Sequence, residues 1–270
     1  MVTARTPARW QLSLVMPAYN EEAGIAIAVA EAAEALAALD YEHEILVIDD
    51  GSTDRTARQV QELALLRPSI RLIRHERNRG YGAALRTGFE AASYPLVAFT
   101  DADGQFHLDD LDKLVPLTQC YPIVVGRRVD RQDSWRRRFF SRGYNFLVRQ
   151  LLNTGVRDCD CALKVFRREV LPHLAPRTAG FFVNAEMLCR AGRYGLAIAE
   201  VDVRHRARRF GSSKVSWSDV PRTFAKLLPF WWTDVLLKRR PLPLRLKVLP
   251  NGQATGSSTA VVEVKQRTAA

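Results

Sequence analysis

The 270-residue sequence is short of cysteine, of long apolar runs and of acidic charge, and each shortage removes a class of protein. Its four cysteines, Cys120, Cys159, Cys161 and Cys189, are too few for a disulfide scaffold in a chain this long and include no C-x-x-C pair, which points to a reducing compartment. Cys159 and Cys161 have no second Cys/His pair at finger spacing, so they read as small buried thiols rather than half of a zinc site. No stretch reaches the roughly 20 apolar residues of a membrane-spanning helix. The most apolar one, residues 227–237, contains Asp234 and lies between Lys226 and Lys238. Residues 12–16 are too short for a signal-peptide core and lack a cleavage site behind them, so export is not expected. The Gly-Lys-Ser/Thr ending of a P-loop is missing. In Gly80-Tyr81-Gly82-Ala83-Ala84-Leu85, Leu85 stands where a dinucleotide fingerprint needs a small residue, and the segment does not open the domain.

What is present is a 47% hydrophobic chain with a formal net charge of +11, from 40 Lys and Arg against 29 Asp and Glu. That composition supports a sizeable core and an anionic partner. Short apolar runs alternate with helical patterns: strands over 12–16, 44–48, 70–73 and 96–99, helices over 23–39, 53–66 and 81–92. Runs of Val, Ile and Leu without polar alternation belong to strands buried on both faces. The order therefore predicts an α/β fold, a mostly parallel sheet with helices on both faces, whose ligands lie beyond the carboxyl ends of the strands.

Four polar clusters fall at those ends. Pro17-Ala18-Tyr19-Asn20-Glu21 follows the first strand, Asp49-Asp50-Gly51-Ser52 the second, Asn78-Arg79-Gly80 the third and Asp101-Ala102-Asp103 the fourth. Asp101 and Asp103, with Gln105 beside them, form an oxygen-only set suited to a hard dication, Mg²⁺ or Mn²⁺, which binds through one or two carboxylates plus substrate phosphates. Each cluster also has a structural explanation: Asp101 and Asp103 as caps of a helix near 108–111, Asp50-Gly51-Ser52-Thr53 as a capped turn, Gly80 as a turn glycine.

Taken in order, Val-Met-Pro-Ala-Tyr-Asn-Glu-Glu, Val-Ile-Asp-Asp-Gly-Ser-Thr-Asp, Asn-Arg-Gly-Tyr-Gly and Asp-Ala-Asp-Gly-Gln resemble the family-2 inverting glycosyltransferases of GT-A fold over about 12–214. Arg128, Ser141 to Asn145, Arg157-Asp158 and residues 208–214 are similar to the branch that loads a hexose, mannose by preference, onto a polyprenyl (dolichyl-type) phosphate. The resemblance implies that Pro17, Tyr19, Glu21 and Asp50 surround the nucleotide of a nucleotide-diphosphate sugar. It puts Asp101, Asp103 and Gln105 on the metal, Arg128, Arg137, Ser141 and Arg208 at phosphates, and Ser213 and Lys214 on a closing loop. Cys161-Ala162-Leu163 departs from the small residue and Gly-Phe frequent in that branch. The implied organisation is a catalytic domain over 1–220 (donor half about 10–126, acceptor half about 127–220), an amphipathic segment over 221–248 and a flexible tail over 249–270.

The cationic excess is local. Between Arg127 and Arg149 there are eight arginines against Asp130 and Asp133, interleaved with Phe139, Phe140 and Tyr144. Arginine forks suit phosphate and their stems cover apolar surface. A phosphate acceptor is anionic near neutral pH and needs no general base, whereas a hydroxyl acceptor does. Asp158 and, less so, Glu186 are the candidates for that role, with an Arg157 ion pair and a helix-face carboxylate as the bland alternatives. Trp231, Trp232 and their cationic flanks fit either an interfacial membrane contact or a helix packed on the domain. A nucleic-acid-binding module is the rival class, but acidic strand ends would repel a polyanion, and no nucleic acid is expected as a partner. The expectation is a cytoplasmic enzyme working peripherally at the inner face of a membrane; oligomeric state is not legible.

Overall fold

The computed structural model describes residues 9–129, 155–178, 180, 182–209 and 232. The elements in chain order are β1 (Gln11–Ala18), α1 (Ile25–Ala38), β2 (Glu42–Asp49), α2 (Thr56–Leu66), β3 (Ile70–Arg74), α3 (Tyr81–Ala91), β4 (Leu96–Phe99), α4 (Leu111–Leu114), β5 (Ile123–Val129), β6 (Lys164–Arg167), α5 (Leu171–Leu174), α6 (Val183–Arg193) and β7 (Ile198–Arg204). Strands expected from apolar runs are all present, β4 with the expected bounds and β1, β2 and β3 longer by one to three residues.

The strands form one seven-stranded sheet in the order β3-β2-β1-β4-β6-β5-β7. β1 pairs in parallel with β2 and β4, β2 with β3, and β5 with β7. Only β6 runs against its neighbours β4 and β5. Its first residue, Lys164, therefore sits opposite Phe99, the carboxyl end of β4, and opposite Val125 of β5. The loop entering β6, Asp158 to Leu163, is thereby delivered to the same edge as the loops leaving the parallel strands.

Leu12, Leu14, Val15, Ile45, Leu46, Val47, Ile48, Val97 and Phe99 are all buried, without the alternation of a one-sided sheet. Side chains on successive strand residues point to opposite faces. Val15 meets α3 at Gly88, while Met16 faces α1. Helices thus cover both faces, α1 with α2 on one and α3 with α6 on the other. Phe89, Phe99 and Phe166 meet at ring-centroid distances of 6.0–6.2 Å in the middle of the second layer. Each buried aromatic contributes about 1.5–3 kcal/mol by leaving water.

α2 begins at Thr56 and not near residue 53, because residues 50–55 are consumed in a loop. The Thr53 N–H donates to Asn20 Oδ1 at 2.9 Å, and Asp54 Oδ1 accepts the Thr56 N–H at 3.0 Å. The start of α3 is fixed by close packing. A Cβ on Gly82 would collide with the carbonyl of Thr178 and with Val183. Replacing Gly82 by Ala forces backbone to move, and urea unfolding should register a loss of about 1–3 kcal/mol; a wild-type midpoint would refute this packing.

Candidate active site

The loops at the sheet edge are sewn together in sequence order. After β1, Asn20 turns the chain with φ 50°, donating its N–H to Ser52 Oγ at 2.9 Å. The N–H groups of Glu21 and Glu22 donate to Thr56 Oγ1 at 2.8 Å and Asp54 Oδ2 at 3.1 Å, which joins the β1 loop to the β2 loop. Asp50, 3% exposed, joins the β2 loop to the next. Its carboxylate accepts the Arg79 and Gly80 N–H groups at 2.9 and 2.8 Å and faces His75 Nδ1 at 2.7 Å. Gly51, at φ 74°, lies too close to Arg77 and Asn78 to carry a side chain. The third link is Tyr81, whose hydroxyl donates to Asp101 Oδ1 at 2.9 Å.

Asp101 and Asp103 follow β4 side by side. Desolvation and the neighbouring Asp103 carboxylate push the Asp101 carboxyl up to about 6, against the opposing influence of Tyr81, Lys164 and Arg208. Asp103 Oδ1 accepts the Gln105 N–H at 3.1 Å, and its Oδ2 is paired with Arg208 at 2.7 Å. Neither carboxylate caps the helical turn that follows, whose cap position is His107. Gln105 Nε2 donates to the carbonyl of Arg206 at 3.1 Å and the Arg206 N–H returns to the Gln105 carbonyl at 2.9 Å, so Gln105 ties this loop to the chain leaving β7. Arg206 also bonds the Gly104 carbonyl at 2.5 Å and pairs with Glu31 on α1. A cavity of about 350 Å³ opens between α1 and residues 104–109, with Asp101 and Thr100 on its wall and Tyr19 and Asp50 outside it.

The residues fit a divalent metal. Two crowded carboxylates, one of them with a raised pKa, are an oxygen donor set that a dication relieves of its repulsion. Among the described residues no third acidic, His or Cys side chain joins them, so the rest of a coordination shell would come from ligand oxygens.

On the far side of β4, Arg128 at the end of β5 forms a two-pronged pair with Asp158, Nε to Oδ2 at 2.8 Å and Nη2 to Oδ1 at 2.7 Å. Both side chains are at least nine-tenths buried. Glu200 accepts the N–H groups of Arg157 and Asp158 at 2.9 and 3.0 Å and fixes the start of this loop. The fully buried Lys164 fixes its end: Nζ donates to the carbonyls of Cys159 at 3.0 Å and Cys161, and to Asn184 Oδ1 at 2.9 Å. Burial lowers the Lys164 pKa and raises that of Cys161 to about 12, leaving that thiol protonated. Between them Asp160 stays partly exposed, accepting only from the Cys159 thiol at 3.6 Å, and desolvation raises its carboxyl despite Arg128 nearby.

Of the residues singled out in the sequence, Asp50, Asp101, Asp103, Gln105, Arg128, Asp158 and Arg208 come to one edge of the sheet. Tyr19 and Glu21 lie partly exposed beside them, and Pro17 is buried within β1 against Ile48 of β2. Arg137, Ser141, Ser213, Lys214, the 221–248 segment other than Trp232, and the 249–270 tail lie outside the described residues. Asp158 pairs with Arg128 and not with Arg157, because β5 brings Arg128 under the loop. Glu186 is consumed inside: it accepts the N–H groups of Arg177 and Thr178 and the Thr178 hydroxyl at 2.7–3.0 Å and pairs with Arg190. Tyr81, Asp160 and Lys164 were missed. The Tyr in Asn-Arg-Gly-Tyr-Gly was the available signal for the first, and a lysine inside an apolar strand run, Leu163-Lys164-Val165-Phe166, for the last.

Residues 13–174 match the model of glycosyl transferase family 2. An undecaprenyl-phosphate 4-deoxy-4-formamido-L-arabinose transferase of Pectobacterium carotovorum is 31% identical over 241 residues, covering 87% of this chain and 69% of that protein. The protein of the same name from Proteus mirabilis is 29% identical over 247 residues, covering 87% and 70%. Among solved structures, glucosyl-3-phosphoglycerate synthase from Mycobacterium tuberculosis, in complex with Mn²⁺, uridine diphosphate and glucosyl-3-phosphoglycerate, superimposes with a TM-score of 0.64. It is 25% identical, over 87% of this chain and 81% of that one.

Breaking a buried ion pair strands its partner, so Asp158→Ala should lower stability by about 3–5 kcal/mol in urea unfolding, whereas Arg128→Met with Asp158→Leu together should recover most of it. Equal loss in the single and double variants would show that the pair is not what holds this loop.

Proposed function

The chain belongs to glycosyl transferase family 2 and has the GT-A fold, and from that we propose that it transfers a sugar from a nucleotide diphosphate to a polyprenyl phosphate of the undecaprenyl type. The observation that carries this reading is the convergence on one sheet edge of a carboxylate pair and two cations, Arg128 near the end of β5 and Arg208 after β7.

In this reading Tyr19, Glu21 and the Asp50 rim receive the nucleotide, and Asp101 and Asp103 are the residues that would hold Mg²⁺ or Mn²⁺. The metal supplies positive charge where the leaving diphosphate develops negative charge. Arg208, already on Asp103, is the protein cation within reach of the same phosphates, with Lys214 and Ser213 following it in the chain. Arg128, braced by Asp158, and Arg137 and Ser141 take the acceptor phosphate. An acceptor phosphate oxygen attacks the anomeric carbon, the bond from that carbon to the diphosphate oxygen breaks with inversion, and the nucleoside diphosphate leaves with the electron pair. No proton has to be removed, which agrees with Asp158 and Glu186 being tied up in holding backbone and arginine. Asp160 would matter only for a hydroxyl acceptor.

For the sugar, a hexose with mannose ahead is the reading from resemblance, while the relatives carry a formamido-arabinose or a glucosyl group in their names. In this reading the enzyme works peripherally at the cytoplasmic face of a membrane, a location that a lipid acceptor and the cationic stretches of the sequence support. Among the described residues no helix is long and apolar enough to cross one.

The test offers GDP-mannose and UDP-linked sugars in turn, with undecaprenyl phosphate and Mn²⁺. A glycolipid should form from one donor, EDTA should abolish it, and Asp103→Ala should cut the rate at least about a hundredfold. Asp160→Asn should cost less than about tenfold, because a general base is worth about 10²–10⁴. Full turnover in EDTA would contradict the metal assignment, and a hundredfold loss in Asp160→Asn would favour a hydroxyl acceptor.

A further inference from the structure

Tyr81 is the first residue of α3 and follows Gly80, whose φ of 90° turns the chain out of the β3 loop. Its position is fixed from two directions. Behind it, Asp50 holds the N–H groups of Arg79 and Gly80 at 2.9 and 2.8 Å, and Gly82 packs directly on the Thr178 carbonyl. Ahead of it, the phenol hydroxyl donates to Asp101 Oδ1 at 2.9 Å. A phenol is a rigid arm with two side-chain torsions, so an anchored backbone leaves the hydroxyl few places to be.

Asp101 needs such an arm. Two carboxylates two residues apart repel, and each turns away from the other unless something holds it. Arg208 holds Asp103 at 2.7 Å. Resting on the assignment of a divalent cation to this pair, we infer that Tyr81 is a positioning residue for the metal: its hydroxyl fixes the Asp101 carboxylate beside Asp103 and leaves Oδ2 for the cation. The same arm links the two halves of the donor site, since the contacts run from Asp50 through Gly80 and Tyr81 to Asp101 without a break. Hydrogen-bond partners that orient metal ligands are worth about 10–100-fold in metal affinity. Phenylalanine at 81 keeps the ring and its packing and removes only the donor.

The experiment is a Mn²⁺ titration of the full chain followed by electron paramagnetic resonance, first with the metal alone and then with UDP or GDP present. Wild type should bind, and Tyr81→Phe should bind about tenfold more weakly, with a far-UV circular dichroism spectrum like that of wild type. On an Asp101→Asn background the same substitution should change nothing, because the hydroxyl acts through that carboxylate. Equal Mn²⁺ affinity of wild type and Tyr81→Phe overturns the inference while leaving the metal site standing. An undiminished effect of Tyr81→Phe on the Asp101→Asn background overturns it too, since the hydroxyl would then act elsewhere. Failure of wild type to bind Mn²⁺, with or without nucleotide, overturns the metal assignment beneath it.

Discussion

Two carboxylates forced together in a desolvated cleft at the end of β4 set the terms for everything around them. Burial, and after it the neighbouring Asp103 carboxylate, raises the Asp101 carboxyl to about 6. The fold answers from three directions: a phenol from α3 that donates to Asp101, a guanidinium from beyond β7 that pairs with Asp103, and the charge of the buried Lys164 in β6, which acts on Asp101 without a hydrogen bond to it. Each comes from a different strand-to-loop junction, so the charge problem at β4 is also what binds the edge of the sheet into one unit.

That edge is continuous because the polar residues of each loop are spent on the next. Asn20 and Ser52 join β1 to β2, Asp50 joins β2 to the 78–80 turn, Tyr81 joins that turn to β4, and Gln105 with Arg206 joins β4 to β7. Under the proposed function the consequence is preorganisation: a nucleotide settling on the first three loops would meet a carboxylate pair already placed relative to them. The reversed strand β6 adds a further loop to this edge, since an antiparallel strand brings its leading loop, with Asp158 and Asp160, to where the parallel strands end; in the proposed function this is the acceptor side.

The parallel half of the fold was readable for a plain reason. Buried parallel strands write themselves as unbroken Val, Ile and Leu, and the Asp-x-Asp directly after one stands at the sheet edge, where neither carboxylate caps the turn that follows. What could not be read were pairings between residues distant in the chain. Asp158 lies beside Arg157 in sequence but pairs with Arg128, thirty residues earlier, because β5 and the β6 loop meet in space. Glu186 looked like a helix-face carboxylate open to an acceptor and is instead the buried anchor of residues 177 and 178. Lys164, a lone charge in an apolar run, is fully buried because two carbonyls and an amide close around its ammonium.

The most direct measurement is a crystal structure of the full chain with Mn²⁺ and UDP, its metal located by anomalous scattering. The account predicts one Mn²⁺ between the Asp101 and Asp103 carboxylates and the diphosphate, with Asp50 still on the 79–80 backbone. A manganese peak away from both aspartates, or a diphosphate bound with no metal beside them, would contradict it.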